Sequence, residues 1–225
     1  MTFFSRIFLN PQTRGGRKFL TNPHAMHSAV MASFPPDANL QHDGGRVLWR
    51  IDSDHPRHVL YVSSPELPDF TGIREQGAWA TSTWDSTDYR PFLNRLSRGQ
   101  KWEFRFTGNP TKSIPNGDGR GVVRPHLTVE HQSEWFLKKS ESSGFAVLET
   151  EGIKDFAVIG RQDSRFRRNP GKDGGSRVTI KRVDFKGSLE VTDAEALRCA
   201  MVQGIGRGKG YGCGLLTLKP IADRR

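Results

Sequence analysis

The segments RVLWRID (46–52) and RHVLYVSS (57–64) each alternate apolar with polar side chains, and only SDHP separates them. Alternation at period two marks half-buried strands, and so short a connection joins antiparallel neighbours. Upstream, TFFSRIFLN (2–10) reads as another strand and Asn22 to Phe34 as a helix. A short helical stretch near YRPFLNRL (89–96) and a strand in QKWEFRFTGNP (100–110) complete the order β-α-β-β-α-β. That is the order of a ferredoxin-like unit. Residues 63–86 fit no clean period and read as an insertion or long loop.

The second half repeats the theme. TVEHQSEWFLKKSESSG (128–144) is helix-like, strands flank a basic segment, and KGSLEV (186–191) is a further strand. A capping box from Thr192 to Glu195 opens a helix, and GCGLLTLKP (212–220) ends the pattern as a strand. The expected fold class is α+β: two tandem ferredoxin-like (RRM-like) domains with antiparallel sheets, spanning 1–113 and 124–225. SIPNGDGRGVVRP (113–125), dense in Gly and Pro, reads as the linker.

At 225 residues the chain can bury two cores of about 100 residues each without cross-links. Its two cysteines, Cys199 and Cys213, suggest neither a disulfide framework nor a zinc knuckle, so a reducing, cytoplasmic setting is expected. MTFFSRIFLN is too short, and too interrupted by Arg6 and Asn10, for a signal-peptide core. No apolar run approaches the roughly 20 residues that span a bilayer, so no membrane partner is expected.

Charge narrows the partner. Thirty-four Lys and Arg against 24 Asp and Glu leave +10, which favours a polyanion. Between Arg161 and Lys186, nine basic residues face three acids, so that one segment carries +6 of the excess. Its centre, RFRRNPGKDGGSR (165–177), has the Pro, Gly and Asn of a long turn, and its flanks look like strands. A basic β-hairpin follows, with Arg161, Arg165, Arg167, Arg168, Lys172, Arg177, Lys181 and Arg182 as candidate RNA-binding residues, because arginines fork onto phosphate oxygens. A solvated loop kept charged for solubility is the plainer reading of the same residues.

In NPHAMHSAVMASFP (22–35), Asn22 is a suitable N-cap and Pro23 suits the first helical position. His24 and His27 then lie in the first two turns, where unpaired N–H groups and the helix dipole attract an anion. Met26, Ala29, Val30, Ser33 and Phe34 form one stripe, while the two histidines share the opposite edge. Two groups titrating near pH 7 beside a phosphate are what RNA strand scission requires: one takes a proton from the 2′-OH and another supplies one to the 5′-oxygen. The same spacing also fits surface histidines or half of a metal site, although no acidic residue on the helix completes a metal set.

QGIGRGKGYGCGLL (203–216) places six glycines at alternate positions from Gly204 to Gly214. It is not a P-loop: Gln203 stands where the first Gly would be, and Gly210 follows Lys209 where Ser or Thr is required. No G-x-G-x-x-G register fits, so no nucleotide cofactor is expected. Gly206, Arg207, Gly208 and Lys209, with Tyr211 able to stack, suit an RNA backbone. A flexible turn with packing glycines is the alternative.

His27 placed seven residues before Phe34-Pro35, FRFTGNPTKS (104–113) and QGIGRGKGYGCGLLTL (203–218) together resemble the CRISPR-associated endoribonuclease family CasE, the repeat-processing subunit of the type I-E Cascade complex. The resemblance runs from about residue 3 to 220. It implies two ferredoxin-like domains and metal-independent cleavage at the 3′ base of a repeat stem-loop, without a cofactor. It further implies a 2′,3′-cyclic phosphate product that stays bound, and assembly with other Cascade subunits. His27 matches the family's catalytic histidine, and His24 stands where members often carry tyrosine. The segment from Arg161 to Arg182 matches the region that grips the RNA stem. Binding is expected to weaken steeply with salt. A non-catalytic RNA-binding subunit of a ribonucleoprotein is the second reading.

Overall fold

The computed structural model describes residues 2–41, 45–54, 56–117, 121–168 and 176–221, with the backbone alone at 165–168 and 176–178. The first sheet is built from β1 (Phe3–Leu9), β2 (Leu48–Asp54), β3 (Arg57–Ser64) and β4 (Trp84–Asp88), in the order β2-β3-β1-β4. All its pairings are antiparallel, and β2 opposes β3 from Leu48↔Ser63 to Asp54↔Arg57. Helices α1 (Arg14–Thr21) and α2 (Pro23–Met31) follow β1, and α3 (Thr71–Gly77) follows β3. Ile7, Leu9, Met26, Val30, Trp49, Leu60 and Val62 form the core between them. Each such side chain contributes about 1.5–3 kcal/mol through burial.

After α4 (Arg90–Arg95), β5 (Lys101–Gly108) begins the second sheet. A ribbon of β6 (Thr111–Ile114) and β7 (Val122–Pro125) leads to α5 (Val129–Glu141), β8 (Phe145–Val147) and a small pair, β9 (Glu149–Thr150) with β10 (Ile153–Lys154). The long hairpin of β11 (Phe156–Arg168) and β12 (Ser176–Val191) precedes α6 (Ala194–Gln203), a 3-10 turn at Lys209–Tyr211, and β13 (Leu216–Pro220). The order is β11-β12-β5-β13, with β8 on the end of β12. Numbered within its own unit, each sheet therefore runs 2-3-1-4, the ferredoxin-like arrangement expected from the sequence. Phe104, Phe106, Phe136, Phe145 and Phe185 fill the second core, and the Phe136 and Phe185 rings stack at 4.6 Å.

Several sequence expectations change. The strand 101–108, expected to close the first sheet, instead pairs with β12 and β13 in the second. The stretch 63–86 holds α3 and β4 rather than a loop, and Arg14–Thr21 adds an unexpected helix. The helix expected through Phe34 ends at Met31. Asp193, not Thr192, caps α6, its carboxylate accepting from Glu195 N and Ala196 N. Part of the expected linker forms the β6–β7 ribbon.

Arg50 ties the two sheets together. It is 1% exposed, grips Asp52 in a fork at 2.6 and 2.9 Å, and donates to the Arg105 and Leu215 carbonyls and to Thr217 Oγ1. Arg105 in turn pairs with Asp54 at 2.8 Å. A buried guanidinium with all these partners fixes the relative placement of β2, β5 and β13.

Candidate functional site

Helix α2 is set by its first residues. Asn22 Oδ1 accepts from His24 N at 3.0 Å and Ala25 N at 3.2 Å, and Pro23 occupies the first turn. Met26 and Val30 are fully buried, and Phe34 beyond the helix end is nearly so. That anchoring leaves His24 and His27 half-buried on the opposite side.

Opposite His27 stands the glycine loop. Gly208 and Gly212 both have left-handed backbone and bracket the turn Lys209–Tyr211. At Gly212 the reason is steric as well: a Cβ there would lie 2.7 Å from the Trp49 ring. The loop is held at its ends by Ile205 N donating to Gly214 O at 3.0 Å and Gly214 N donating to Thr107 O at 2.7 Å. This presents Gly210 to His27, whose imidazole atoms lie 3.5–3.8 Å from where a Gly210 Cβ would be. The Tyr211 ring centroid is 6.1 Å from that of His27, tilted by 59°.

Two cations belong to the same turn. Arg207 is exposed and Lys209 half-buried. Burial, and then the nearby Arg46 guanidinium, hold the Lys209 pKa below its ordinary value. Arg46 donates its backbone N–H to Val202 O at 3.3 Å, and its Nε is buried with no hydrogen-bond partner among the described residues. Arg46 did not stand out in the sequence, and Asn109 did so only as part of FRFTGNPTKS. Asn109, beside Gly208, brings the FRFTGNPTKS segment to the loop. A second histidine pair, His126 and His131, also escaped notice, with ring centroids 5.8 Å apart. Burial, reinforced by the charges of His131 and Lys112, holds His126 below the usual imidazole value. The spacing PHLTVEH (125–131) is the signal that could have drawn attention to it.

The basic segment is a hairpin, as expected, with β11 and β12 paired from Phe156↔Gly187 to Arg168↔Ser176 and a register shift between Val158 and Gly160. Arg161 is exposed and donates to Leu127 O at 2.6 Å. Lys181 is paired with Asp163, and Arg182 is only 7% exposed. Arg165, Arg167, Arg168 and Arg177 lie on the two strands, and Lys172 lies outside the described residues. The structure thus brings His27 of α2 up to the turn Lys209–Tyr211 that follows Gly206–Gly208, with the hairpin packed alongside through contact of α2 with β11, while His24 lies one turn earlier on the same helix. Among the described residues no three His, Cys, Asp or Glu side chains group as a metal set, and no helix is long and apolar enough to cross a membrane.

Two 2-3-1-4 sheets meeting at a glycine loop that faces a histidine helix define a tandem ferredoxin-like protein. Within that class, the family model described as CRISPR associated protein matches residues 2–220, and the chain belongs to this family. It is 28% identical over 223 residues to the CRISPR-associated endoribonuclease Cse3 of Thermus thermophilus, covering 97% of this chain and 100% of that one. It is 30% identical over 206 residues to the CRISPR system Cascade subunit CasE of Escherichia coli K12, covering 88% and 92%. Among solved structures, Cse3 bound to 19 nt RNA matches with a TM-score of 0.79 at 27% identity, covering 97% and 100%. The Thermus thermophilus Cse3 structure with an RNA representing a pre-cleavage complex matches at 0.76 and 26% identity, covering 97% and 99%.

Proposed function

We propose that this protein is a metal-independent CRISPR endoribonuclease of the cytoplasm, cutting repeat RNA at the 3′ base of its stem-loop, keeping the product bound and joining a Cascade complex. The observation that carries the reading is the packing of the His27 ring on Gly210, beside Tyr211 and Lys209. The half-buried imidazoles of His24 and His27 serve as proton donor and acceptor. One takes the 2′-OH proton as that oxygen attacks the adjacent phosphorus, and the other protonates the departing 5′-oxygen. Lys209 and Arg207 offset the charge that develops on the phosphorane oxygens, leaving a 2′,3′-cyclic phosphate and a 5′-OH. The hairpin holds the stem through phosphates, because side chains rarely enter the deep major groove of A-form RNA. With the product retained, turnover is limited by release. The similarity to relatives named endoribonuclease Cse3 and Cascade subunit CasE supports the substrate and the assembly.

The test is single-turnover cleavage of a labelled repeat hairpin in excess EDTA. Wild type should give one cut at the 3′ base of the stem. His27→Ala should be slower by about 100- to 10,000-fold, the contribution of a positioned acid or base, while its RNA affinity stays within a few-fold. Cleavage abolished by EDTA would sink the proton-transfer reading. Tight binding by wild type without any cut would favour a non-catalytic RNA-binding subunit.

A further inference from the structure

Arg182 turns inward. It stands opposite Gln162 on the hairpin, in the strand position next to core-facing Val183, and so lies on the sheet face directed away from α5. It is 7% exposed, its Nε is buried without a hydrogen-bond partner, and it forms no ion pair among the described residues. Asp184, two residues on, accepts from Thr107 Oγ1 at 2.5 Å. The nearby Cys213 thiol, pushed up to about 12 by burial, supplies no counter-charge. A guanidinium held this way is costly unless an anion meets it.

Arg182 lines a polar cleft of about 520 Å³ between the two sheets, a size typical of small-ligand sites. Arg50 and Arg105, in the same walls, are already engaged by Asp52 and Asp54. Gln162 and Arg182 come from the hairpin, and Leu20 closes another side, two residues before the α2 cap. The cleft therefore lies between the hairpin and the start of the helix that carries His24 and His27.

We propose that this cleft binds the backbone phosphate of the single-stranded nucleotide immediately 3′ of the cut, with Arg182 as its ligand. The inference rests on the reading of the protein as a hairpin-cleaving ribonuclease. RNA is the fitting ligand because the strands that hold the stem also wall the cleft, and a guanidinium fork matches phosphate oxygens. The 3′ flank is the fitting strand because it leaves the stem at the scissile phosphate, next to His27, whereas the 5′ flank departs from the other side of the duplex. Cleavage then releases a strand that had been held on both sides of the cut.

The experiment compares the affinities of two uncleavable RNAs carrying a 2′-deoxy sugar at the cut. One ends at the 3′-phosphate of that sugar, so that both carry the phosphate at the cut, and the other continues for three nucleotides. Wild type should bind the flanked RNA about tenfold or more tightly, the strength of a charge-assisted hydrogen bond. In Arg182→Gln the ratio should fall to near one. A neutral methylphosphonate at the first phosphate 3′ of the cut should abolish the gain in wild type, which keeps the test decisive if the variant fails to fold. A gain that survives either change, that is absent from wild type, or that moves with a methylphosphonate on the 5′ flank overturns the proposal. Failure of wild type to bind either RNA would instead overturn the ribonuclease reading beneath it.

Discussion

The two sheets share one strand order yet are used differently. In the first, the connection after the opening strand carries the histidines, and the outermost strand on one side is the short, polar β4, whose sequence WDSTD offers little for further pairing. In the second, the opening connection carries the packing helix α5 together with the β6–β7 ribbon and the short strands β8 to β10. The hairpin runs far beyond the sheet, and the approach to the last strand is spent on the glycine loop. Each unit thus brings a different part to the shared site: His27 from one, a close-approaching backbone and cations from the other. Duplicated topology leaves the connections free to diverge, because the strands alone satisfy the sheet.

If the site depends on the two units being held as one, cutting the tie should show it most. Arg50→Met removes the fork on Asp52, leaving that carboxylate only its 3.6 Å contact with Arg105, and should cost about 3–5 kcal/mol in denaturant unfolding. An unchanged midpoint would mean the sheets are joined by other contacts. A smaller disturbance confined to the loop should follow from Gly212→Ala, which sets a Cβ against Trp49 in left-handed backbone. The expected loss is about 2 kcal/mol, with cleavage reduced more than RNA affinity as the turn shifts from His27. Equal losses in both would place the loop in binding alone. The smallest effect belongs to the rim of the tie. The Arg105 guanidinium holds the Asp54 carboxyl below its ordinary value, so this contribution is present above about pH 4 and fades as the pH falls through the lower folded value. Asp54→Asn should therefore shift the unfolding midpoint slightly at pH 6 and by less as the pH is lowered below about 4, a difference that vanishes if the pair carries no stability.

The contrast also explains what was legible. Strands that alternate, such as β2, β3 and the hairpin flanks, could be read directly, and so could α2, whose cap and stripe agree. Helix α1 could not: RGGRKFLT looks like a break, yet Gly15 and Gly16 sit where a Cβ would meet the Gln76 and Asn10 carbonyls at under 2 Å. Those glycines serve close packing rather than a turn. The exposed β4 carries almost no apolar signal. For β5, alternation shows that one face is buried but not which sheet it joins, since either partner would bury Phe104 and Phe106 equally well. The histidines and the glycine loop were each visible as motifs. Their contact was not, because it depends on how the two sheets are set against each other. Arg182 read as one more cation of a basic run, and only the folded register shows that it faces inward.

The tie through Arg50 has a spatial consequence. Asp52, Asp54 and Arg105 line both the 520 Å³ cleft and a larger one of about 830 Å³ on the far side, so the ion-pair row stands between them like a bulkhead. The space between the sheets is thus two rooms with separate doors, and filling one leaves the other open.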